Sequence, residues 1–402
     1  MNYKLKTADM WIIISFFLIT IGHCTALSNV SDILIYLGIF VIVIICIKKC
    51  MKSKEHKSIF KLGLLVSILS LMMSLGVIIG NNILISKKFE LIISFMLPVF
   101  FAVFGGYAFD NIYRLKGAIT GIVIAVLSSI LVSIATATPI IQRAGEGFSY
   151  GFNAGLGHKN AFGIIMVPVA TYFMWEYKIL GRRKALFSSV WFTITLILSS
   201  SRTSWVLLFC AFVIINFEVI KKVKKRQRGV LVIAALAVAT VIGVKFVNTY
   251  VLTSANYGIR LLGVNSFINS FSREPKTIFL GIPNTLYASG TSYHTAFWTF
   301  LGGQGSTEIG LLNIIAKNGL LGLLSYLYIF ILLFKQIQES NSVGYRLLGY
   351  SLVIPMILSL FVEVYLTQII YPYTVFAFCT LSCFIINRKS IEQSIGILTK
   401  QK

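Results

Sequence analysis

The stretch from Gly117 to Ala137 reads GAITGIVIAVLSSILVSIATA and contains no charged side chain. An α-helix needs about 20 apolar residues to cross the hydrocarbon core of a bilayer. Lipid offers no hydrogen-bond partner to the backbone, so such a segment is helical unless strands close into a barrel. The sequence lacks the alternation of apolar and polar residues that is typical of barrel strands. We therefore predict a transmembrane helix here.

Apolar runs of this kind recur along the whole chain. Hydrophobic residues make up 57% of the sequence and charged residues 12%, whereas a soluble domain carries about 25% charged residues. The sequence predicts an all-α polytopic membrane protein with about 12 transmembrane helices, forming one integral membrane domain over residues 1–402. The twelve runs are 10–27, 33–47, 62–80, 91–109, 117–137, 161–177, 186–200, 203–220, 229–248, 309–334, 347–366 and 369–386.

The basic residues predict an orientation. They cluster in alternate loops, such as 48–61, 178–184 and 221–228, and loops that retain Lys and Arg face the cytoplasm. This rule predicts that both termini are cytoplasmic and that the long loop 249–305 lies outside. Most of the net charge of +23 then reflects topology and contact with anionic lipid, which argues against nucleic-acid binding.

The basic residues left outside by this orientation are the candidate binding residues. They fall mostly in the loop 138–160, the turn 199–203 and the large extracytoplasmic loop 249–305. Long loops are often functional. A guanidinium also suits phosphate oxygens well, because it can donate two parallel hydrogen bonds to them. The arginines in these segments are Arg143, Arg202, Arg260 and Arg273.

Arg202 lies in the turn Ser199-Ser200-Ser201-Arg202-Thr203 between two short apolar runs. An arginine at membrane depth is costly and indicates function. The alternative is a topology anchor whose guanidinium reaches the headgroups. The neighbouring hydroxyls suit either a phosphate or the cap of the next helix.

Two candidate bases lie near the end of the large loop. His294 titrates near neutrality and suits general base catalysis, although a lone histidine is more often structural. Glu308 precedes a long apolar run; it could deprotonate a hydroxyl or cap a helix. That run, 305–334, is too long for one upright span, so it either tilts or breaks near Gly319. The loop also carries many aromatic side chains, which suit either sugar stacking or an ordinary folded cap.

His158, Lys159 and Asn160 follow two glycines and open the next span. Backbone N–H groups at such a helix N-terminus can bind an anion. We treat the three residues as candidate substrate-binding residues, on a weak motif.

The sequence lacks the motifs of several enzyme classes. The sequence has no Walker loop, no HExxH and no intact G-x-S-x-G elbow, which leaves an ATPase, a zinc hydrolase and a serine hydrolase without support. It also has no DxD motif and no cluster with metal-ligand spacing. We therefore expect neither a metal nor a cofactor.

Four segments together resemble the bacterial O-antigen polymerase and ligase superfamily (Wzy/WaaL type). Their order along the chain, together with the hydropathy pattern, carries the resemblance. The segments are Gly157-His158-Lys159-Asn160-Ala161, Ser201-Arg202-Thr203-Ser204, Arg260 followed by Phe279-Leu280-Gly281-Ile282-Pro283, and Asn318-Gly319-Leu320-Leu321-Gly322. One departure is that relatives commonly carry a histidine at the position of Glu308, which leaves the acceptor-activating role open between Glu308 and His294.

The resemblance implies a metal-independent glycosyltransferase with a GT-C-like membrane fold. It implies a donor glycan on undecaprenyl pyrophosphate, an acceptor hydroxyl on another lipid-linked repeat unit, and transfer at the outer face of the bacterial cytoplasmic membrane. Arginines would bind the pyrophosphate, and a flippase and a chain-length regulator would be partners. Abundant Ile and Lys favour a capsule or exopolysaccharide over a true O-antigen.

Two alternatives stay open. A ligase would transfer the glycan to a cell-wall or lipid acceptor. A lipid-linked oligosaccharide flippase would also have about twelve spans, but transporters tend to show paired halves and charges in a central cavity. This chain has one dominant outer loop and no evident halves.

Overall fold

The computed structural model describes most of the chain and is almost entirely helical. The helices are α1 (Thr7–Ile21), α2 (Ser31–Lys52), α3 (His56–Ile79), α4 (Ile85–Ala108), α5 (Ile112–Ala135), α6 (Lys159–Leu180), α7 (Arg183–Leu198), α8 (Arg202–Lys222), α9 (Lys276–Leu280), α10 (Gly310–Gln338), α11 (Val343–Ser359), α12 (Pro372–Ile386) and α13 (Arg388–Lys400). Two 3₁₀ turns span Thr25–Val30 and Tyr365–Thr367. The described residues are 7–52, 56–79, 85–143, 150–222, 268, 276–281, 309–361, 363, 365–367 and 371–400.

The all-α membrane class is observed. Each apolar run that lies within the described residues coincides with a helix, although the ends differ by several residues. Within the described residues, four helices are long and apolar enough to cross a bilayer, and the bent pair α12–α13 makes up to five. The number of twelve spans stays a prediction, and the run 229–248 lies outside the described residues. The spanning candidates are Thr25–Lys52, Lys61–Ile79, Ile112–Ala135 and Asn318–Gln338.

Two helices, α6 and α12, form the centre of the bundle. Nearly every residue from Ala161 to Tyr172 and from Tyr371 to Phe384 is buried. A helix that is apolar on all sides must be covered by its neighbours. α6 packs on α7 and α8, while α12 packs on α4. Small residues allow the second contact, because the Gly106 backbone N–H donates to the Ser382 hydroxyl at 2.8 Å.

One end of the bundle is held by ion pairs, and we call it the ion-pair end. Arg114 at the start of α5 contacts Asp9 of α1 and Asp110, both at 3.0 Å. Lys116 and Arg182 both contact Glu176 of α6 at 2.6 Å. These residues come from loops and helix ends that the orientation rule assigns to the cytoplasmic side.

The opposite end carries a two-stranded antiparallel hairpin, β1 (Ile141–Arg143) and β2 (Tyr150–Phe152), and we call it the hairpin end. The sequence did not indicate these strands. The Thr25 backbone N–H donates to the Gly155 carbonyl at 2.9 Å. The segments predicted to lie outside therefore meet one another, as the predicted orientation requires.

Two helix boundaries differ from the apolar pattern. The run 305–334 contains a break at Gly319, where φ is +67° and ψ is −172°, so the break and not a simple tilt resolves its excess length. The run 347–366 is helical only to Ser359. The carbonyl of the C-cap residue Leu360, which has no partner within the helix, accepts a hydrogen bond from the backbone N–H of Leu311 at 2.8 Å.

Candidate anion-binding site at the hairpin end

Two cations from distant parts of the sequence lie together at the hairpin end. Lys159 is the first residue of α6, and Arg202 is the first residue of α8. The Lys159 residue is 7% exposed. Lys159 precedes the apolar run 161–177. Burial lowers the pKa of its ammonium group, and the positive charge of Arg202 lowers that pKa further.

Residues 199–201 form a turn before Arg202, which we call the serine turn and which is held by hydrogen bonds of its own hydroxyl groups. Ser200 adopts a left-handed conformation with φ of +54°. The Ser201 hydroxyl bonds the Ser204 hydroxyl at 2.8 Å, and the Ser199 hydroxyl accepts from the Ser201 backbone N–H at 3.2 Å. Gly163 of α6 lies against this turn, since a Cβ there would be 2.7 Å from the Ser201 Cβ. The serine hydroxyls therefore shape the turn and the start of α8.

The hairpin covers the same site. A Cβ at Gly151 would collide with the Lys159 side chain and the Ser199 carbonyl, so the strand needs glycine for this close approach. The Ser200 hydroxyl donates to the Tyr150 carbonyl at 3.0 Å. Tyr150 pairs with Arg143 across the hairpin, which brings the backbone of this candidate arginine near the serine turn.

Glu363 adds a carboxylate that the sequence analysis missed. It is 5% exposed, and the Thr203 hydroxyl donates to its Oε1 at 3.1 Å. Its carbonyl oxygen lies close to Gly310, because a Cβ there would be 2.6 Å away. Glu363 lies within the apolar run 347–366, which was predicted as a span, and it was therefore overlooked. The one feature that could have indicated it is an acidic residue within an apolar run.

His158 serves as the N-cap of α6. Its Nδ1 accepts from the Asn160 backbone N–H at 3.2 Å and lies 3.4 Å from the Tyr365 hydroxyl. The Tyr365 ring packs on Tyr371 with centroids 5.0 Å apart, and Tyr371 packs edge-on against His23 at 4.9 Å. Of the three-residue motif, His158 and Asn160 thus build the helix start, and Lys159 contributes the charge. His23 is a further site-lining residue whose position no motif indicated.

The third and fourth segments of the resemblance also meet. A Cβ at Gly319 would collide with the Phe279 carbonyl, and Gly319 has the positive φ that favours glycine. The Asn318 amide donates to the Met73 carbonyl at 3.0 Å and holds this region against α3. Residues far apart in sequence therefore approach one another in two places, where Lys159 lies beside the turn that precedes Arg202 and where Gly319 lies beside the Phe279 carbonyl.

Four of the candidate residues lie outside the described part of the chain. These are Arg260, Arg273, His294 and Glu308. Of the large loop 249–305, the structure describes only Ile268 and residues 276–281. The roles of these four residues, pyrophosphate binding by the two arginines and proton abstraction by His294 or Glu308, therefore stay predictions.

The arrangement is suited to binding an anion. Lys159 and Arg202 supply two positive charges in a partly buried setting. No family model matches the chain, and no curated protein or solved structure matches it, so its function must be argued from these residues and their geometry.

Proposed function

We propose that this chain is a polysaccharide polymerase that joins undecaprenyl-pyrophosphate-linked repeat units at the outer face of the bacterial cytoplasmic membrane. The observation that carries the proposal is the position of the Lys159 side chain beside the turn that precedes Arg202, because a Cβ at Gly151 would touch both that side chain and the Ser199 carbonyl oxygen. Lys159 and Arg202 each belong to one of the segments that resemble the O-antigen polymerase and ligase superfamily. Their meeting at the end predicted to lie outside gives a place for the pyrophosphate.

The reaction needs little beyond charge stabilisation and a base. The bond between the anomeric carbon and the pyrophosphate oxygen breaks, and the acceptor hydroxyl forms the new glycosidic bond. The leaving pyrophosphate takes the electron pair, and the cations at Lys159 and Arg202 stabilise its charge. A base, Glu308 or His294, takes the proton of the acceptor hydroxyl. Arg143, Arg260 and Arg273 add to the pyrophosphate site in this proposal.

The proposal includes an orientation and partners. The hairpin end faces outward and both termini are cytoplasmic, as the positive-inside rule predicts. A flippase delivers the lipid-linked units, and a chain-length regulator acts on the product.

Substitution of Arg202 by lysine tests the pyrophosphate role. Lysine keeps the charge but loses the two-pronged guanidinium. We expect about a 10²-fold lower rate of chain extension in proteoliposomes supplied with lipid-linked repeat units. Arg183→Lys is the matched control, because Arg183 is the first residue of α7 at the opposite end and is exposed. Normal extension by Arg202→Lys at normal expression would contradict the role.

Product analysis in deletion strains separates the alternatives. Loss of the polymerase leaves single repeat units on the carrier lipid outside the membrane. Loss of a flippase traps those units inside, and loss of a ligase leaves long chains on the carrier. Trapped units or long carrier-bound chains would each overturn the polymerase assignment.

A further inference from the structure

A groove lies on the outer surface of the bundle, between α7 and α8. Its volume is about 750 Å³, and its lining comes from these two helices and from the last two turns of α6. α7 and α8 each pack on α6 and contact each other little. Several lining side chains are open at the surface, with Val190 50% and Phe209 61% exposed. A ligand from the bilayer can therefore enter the groove sideways.

The polar side chains of the groove are concentrated in its half near the ion-pair end. Lys178 and Asn216 lie at that end, and Ser189 lies within two turns of the start of α7. Toward the hairpin end the lining becomes apolar, as at Leu196 and Ile197. The groove thus has a polar end and an apolar end, which is the pattern that an amphipathic ligand requires.

Lys178 supplies the charge of the polar end. Within the described residues its ammonium group contacts no carboxylate, and it donates to the neutral side-chain carbonyl oxygen of Asn216 at 3.3 Å. The nearby carboxylate of Glu176 is instead held by Lys116 and Arg182, both at 2.6 Å. Lys178 is half-buried at the edge of an apolar groove. A bound anion would therefore find a positive charge that the described residues leave uncompensated.

The length of the groove matches one leaflet of a bilayer. Its α8 lining runs from Trp205 to Asn216, a rise of about 17 Å at 1.5 Å per residue. One leaflet supplies about half of the roughly 30 Å hydrocarbon core. An acyl chain that starts at the level of Lys178 would therefore end near Trp205, inside the apolar half of the groove.

We propose that this groove binds an anionic phospholipid, with the phosphate at Lys178 and an acyl chain between α7 and α8. Charge complementarity at Lys178 and the leaflet-matched length select this occupant. Basic pockets between transmembrane helices on the cytoplasmic side bind anionic headgroups, and the positive-inside rule predicts that the ion-pair end is cytoplasmic. The site lies at the opposite end from the candidate anion-binding site, and the inference does not rest on the proposed function.

Photolabelling tests the headgroup preference. The full-length protein is placed in nanodiscs of phosphatidylcholine, and the probe is phosphatidylglycerol with a diazirine in the middle of one acyl chain. We expect the labelled peptides to come mainly from α7 and α8. A phosphatidylcholine probe with the same chains should label these helices about fivefold less, which corresponds to the contribution of one basic residue. Equal labelling by the two probes would overturn the proposal.

A charge substitution tests the position of the phosphate. Lys178→Gln removes the charge and keeps a donor for Asn216, so labelling by the phosphatidylglycerol probe should fall about fivefold. Lys335→Gln is the matched control, because Lys335 is exposed in the last turn of α10 at the same end and does not line the groove. It should label like the unchanged protein. Undiminished labelling of Lys178→Gln, or an equal loss in both variants, would contradict a site at Lys178.

A space-filling substitution tests the position of the acyl chain. Thr193→Trp narrows the groove from the α7 side and leaves Lys178 in place. Labelling of α7 and α8 by the phosphatidylglycerol probe should then fall to the level of the phosphatidylcholine probe. Undiminished labelling would show that the chain lies outside the groove. Labelling of residues 229–248 in place of α7 and α8 would also overturn the proposal.

Discussion

At the scale of single residues, Glu363 shows how a buried charge organises the candidate site. Its carboxylate accepts the hydroxyl of Thr203, the residue that follows Arg202. This links the loop after α11 to the first turn of α8. A buried carboxylate requires hydrogen-bond donors, since its transfer from water is costly. Glu363 therefore helps to fix the start of α8, where the candidate anion site lies.

Removal of the Thr203 hydroxyl should lower stability. Thr203→Val keeps the shape and deletes one hydrogen bond to the buried carboxylate, a loss of about 1.5–3 kcal/mol. Thr136→Val is the control, because the Thr136 hydroxyl is exposed and bonds the carbonyl oxygens of its own helix. Denaturant unfolding in detergent should separate the two variants. Equal unfolding midpoints for the two variants would show that the hydrogen bond from Thr203 to Glu363 does not stabilise the protein.

The base of the proposed reaction can be assigned by its pH profile. The superfamily that the sequence resembles commonly carries a histidine where this chain has Glu308, and we favour Glu308 as the base. Glu308→Gln should lower the rate about 10²-fold or more, and His294→Gln should have a mild effect. An imidazole base gives a rate that falls below pH of about 6.5 because it becomes protonated, whereas a carboxylate base stays ionised to lower pH. An inactive His294→Gln with a normal Glu308→Gln would reverse the assignment.

Sequence reasoning at this scale found the residues that break a pattern. Arg202 was predicted because it is a charge in a short polar segment between apolar runs, and it is the first residue of α8, directly after the turn that lies beside Lys159. Glu363 was missed because a window of apolar residues averages over one carboxylate. Its position depends on contacts with Thr203 and Gly310, which no local pattern contains.

At the scale of elements, Gly319 determines how α10 meets the segment 276–281. The break in α10 brings the Phe279 carbonyl so close that any side chain at position 319 would collide with it. The positive φ of +67° adds backbone strain for every residue except glycine. The sequence left a tilted span and a break near Gly319 as alternatives, because the apolar run 305–334 exceeded one upright span. The sequence did not predict which segment packs against α10 at this break.

Gly319→Ala should therefore be strongly destabilising, by about 2 kcal/mol or more, from strain at a special backbone conformation together with overpacking. Gly63→Ala is a sharp control. Gly63 lies within α3, where an added Cβ meets no atom within 4 Å, and alanine favours a helix by about 0.5–1 kcal/mol. Thermal unfolding should move in opposite directions for the two variants. A neutral Gly319→Ala would show that the segment 276–281 does not pack tightly on α10.

At the scale of the whole molecule, the bundle has two chemically different ends. The ion-pair end joins α1, α5 and α6 through Arg114 and Glu176, whose side chains are 4% and 2% exposed. The hairpin end joins helix starts through hydroxyl and carbonyl contacts. Hydropathy and charge were sufficient to predict this division, because every span must carry the chain from one side to the other. The pairing of helices within the bundle depends on side-chain packing and was not predictable.

The division predicts how the protein sits in the membrane. Reporter fusions after Lys225 should report the cytoplasm, and fusions near Asn284 should report the outside, because the basic loop 221–228 stays inside. Cysteine substitution gives an independent measurement in whole cells. Tyr150 of the hairpin is 65% exposed, so Tyr150→Cys should react with a membrane-impermeant maleimide. Arg183→Cys, at the ion-pair end, should react only after the membrane is opened. Labelling of Arg183→Cys in intact cells, with Tyr150→Cys protected, would show that the orientation is the reverse of the predicted one. The candidate site would then lie on the cytoplasmic side, where a polymerase of exported units cannot work.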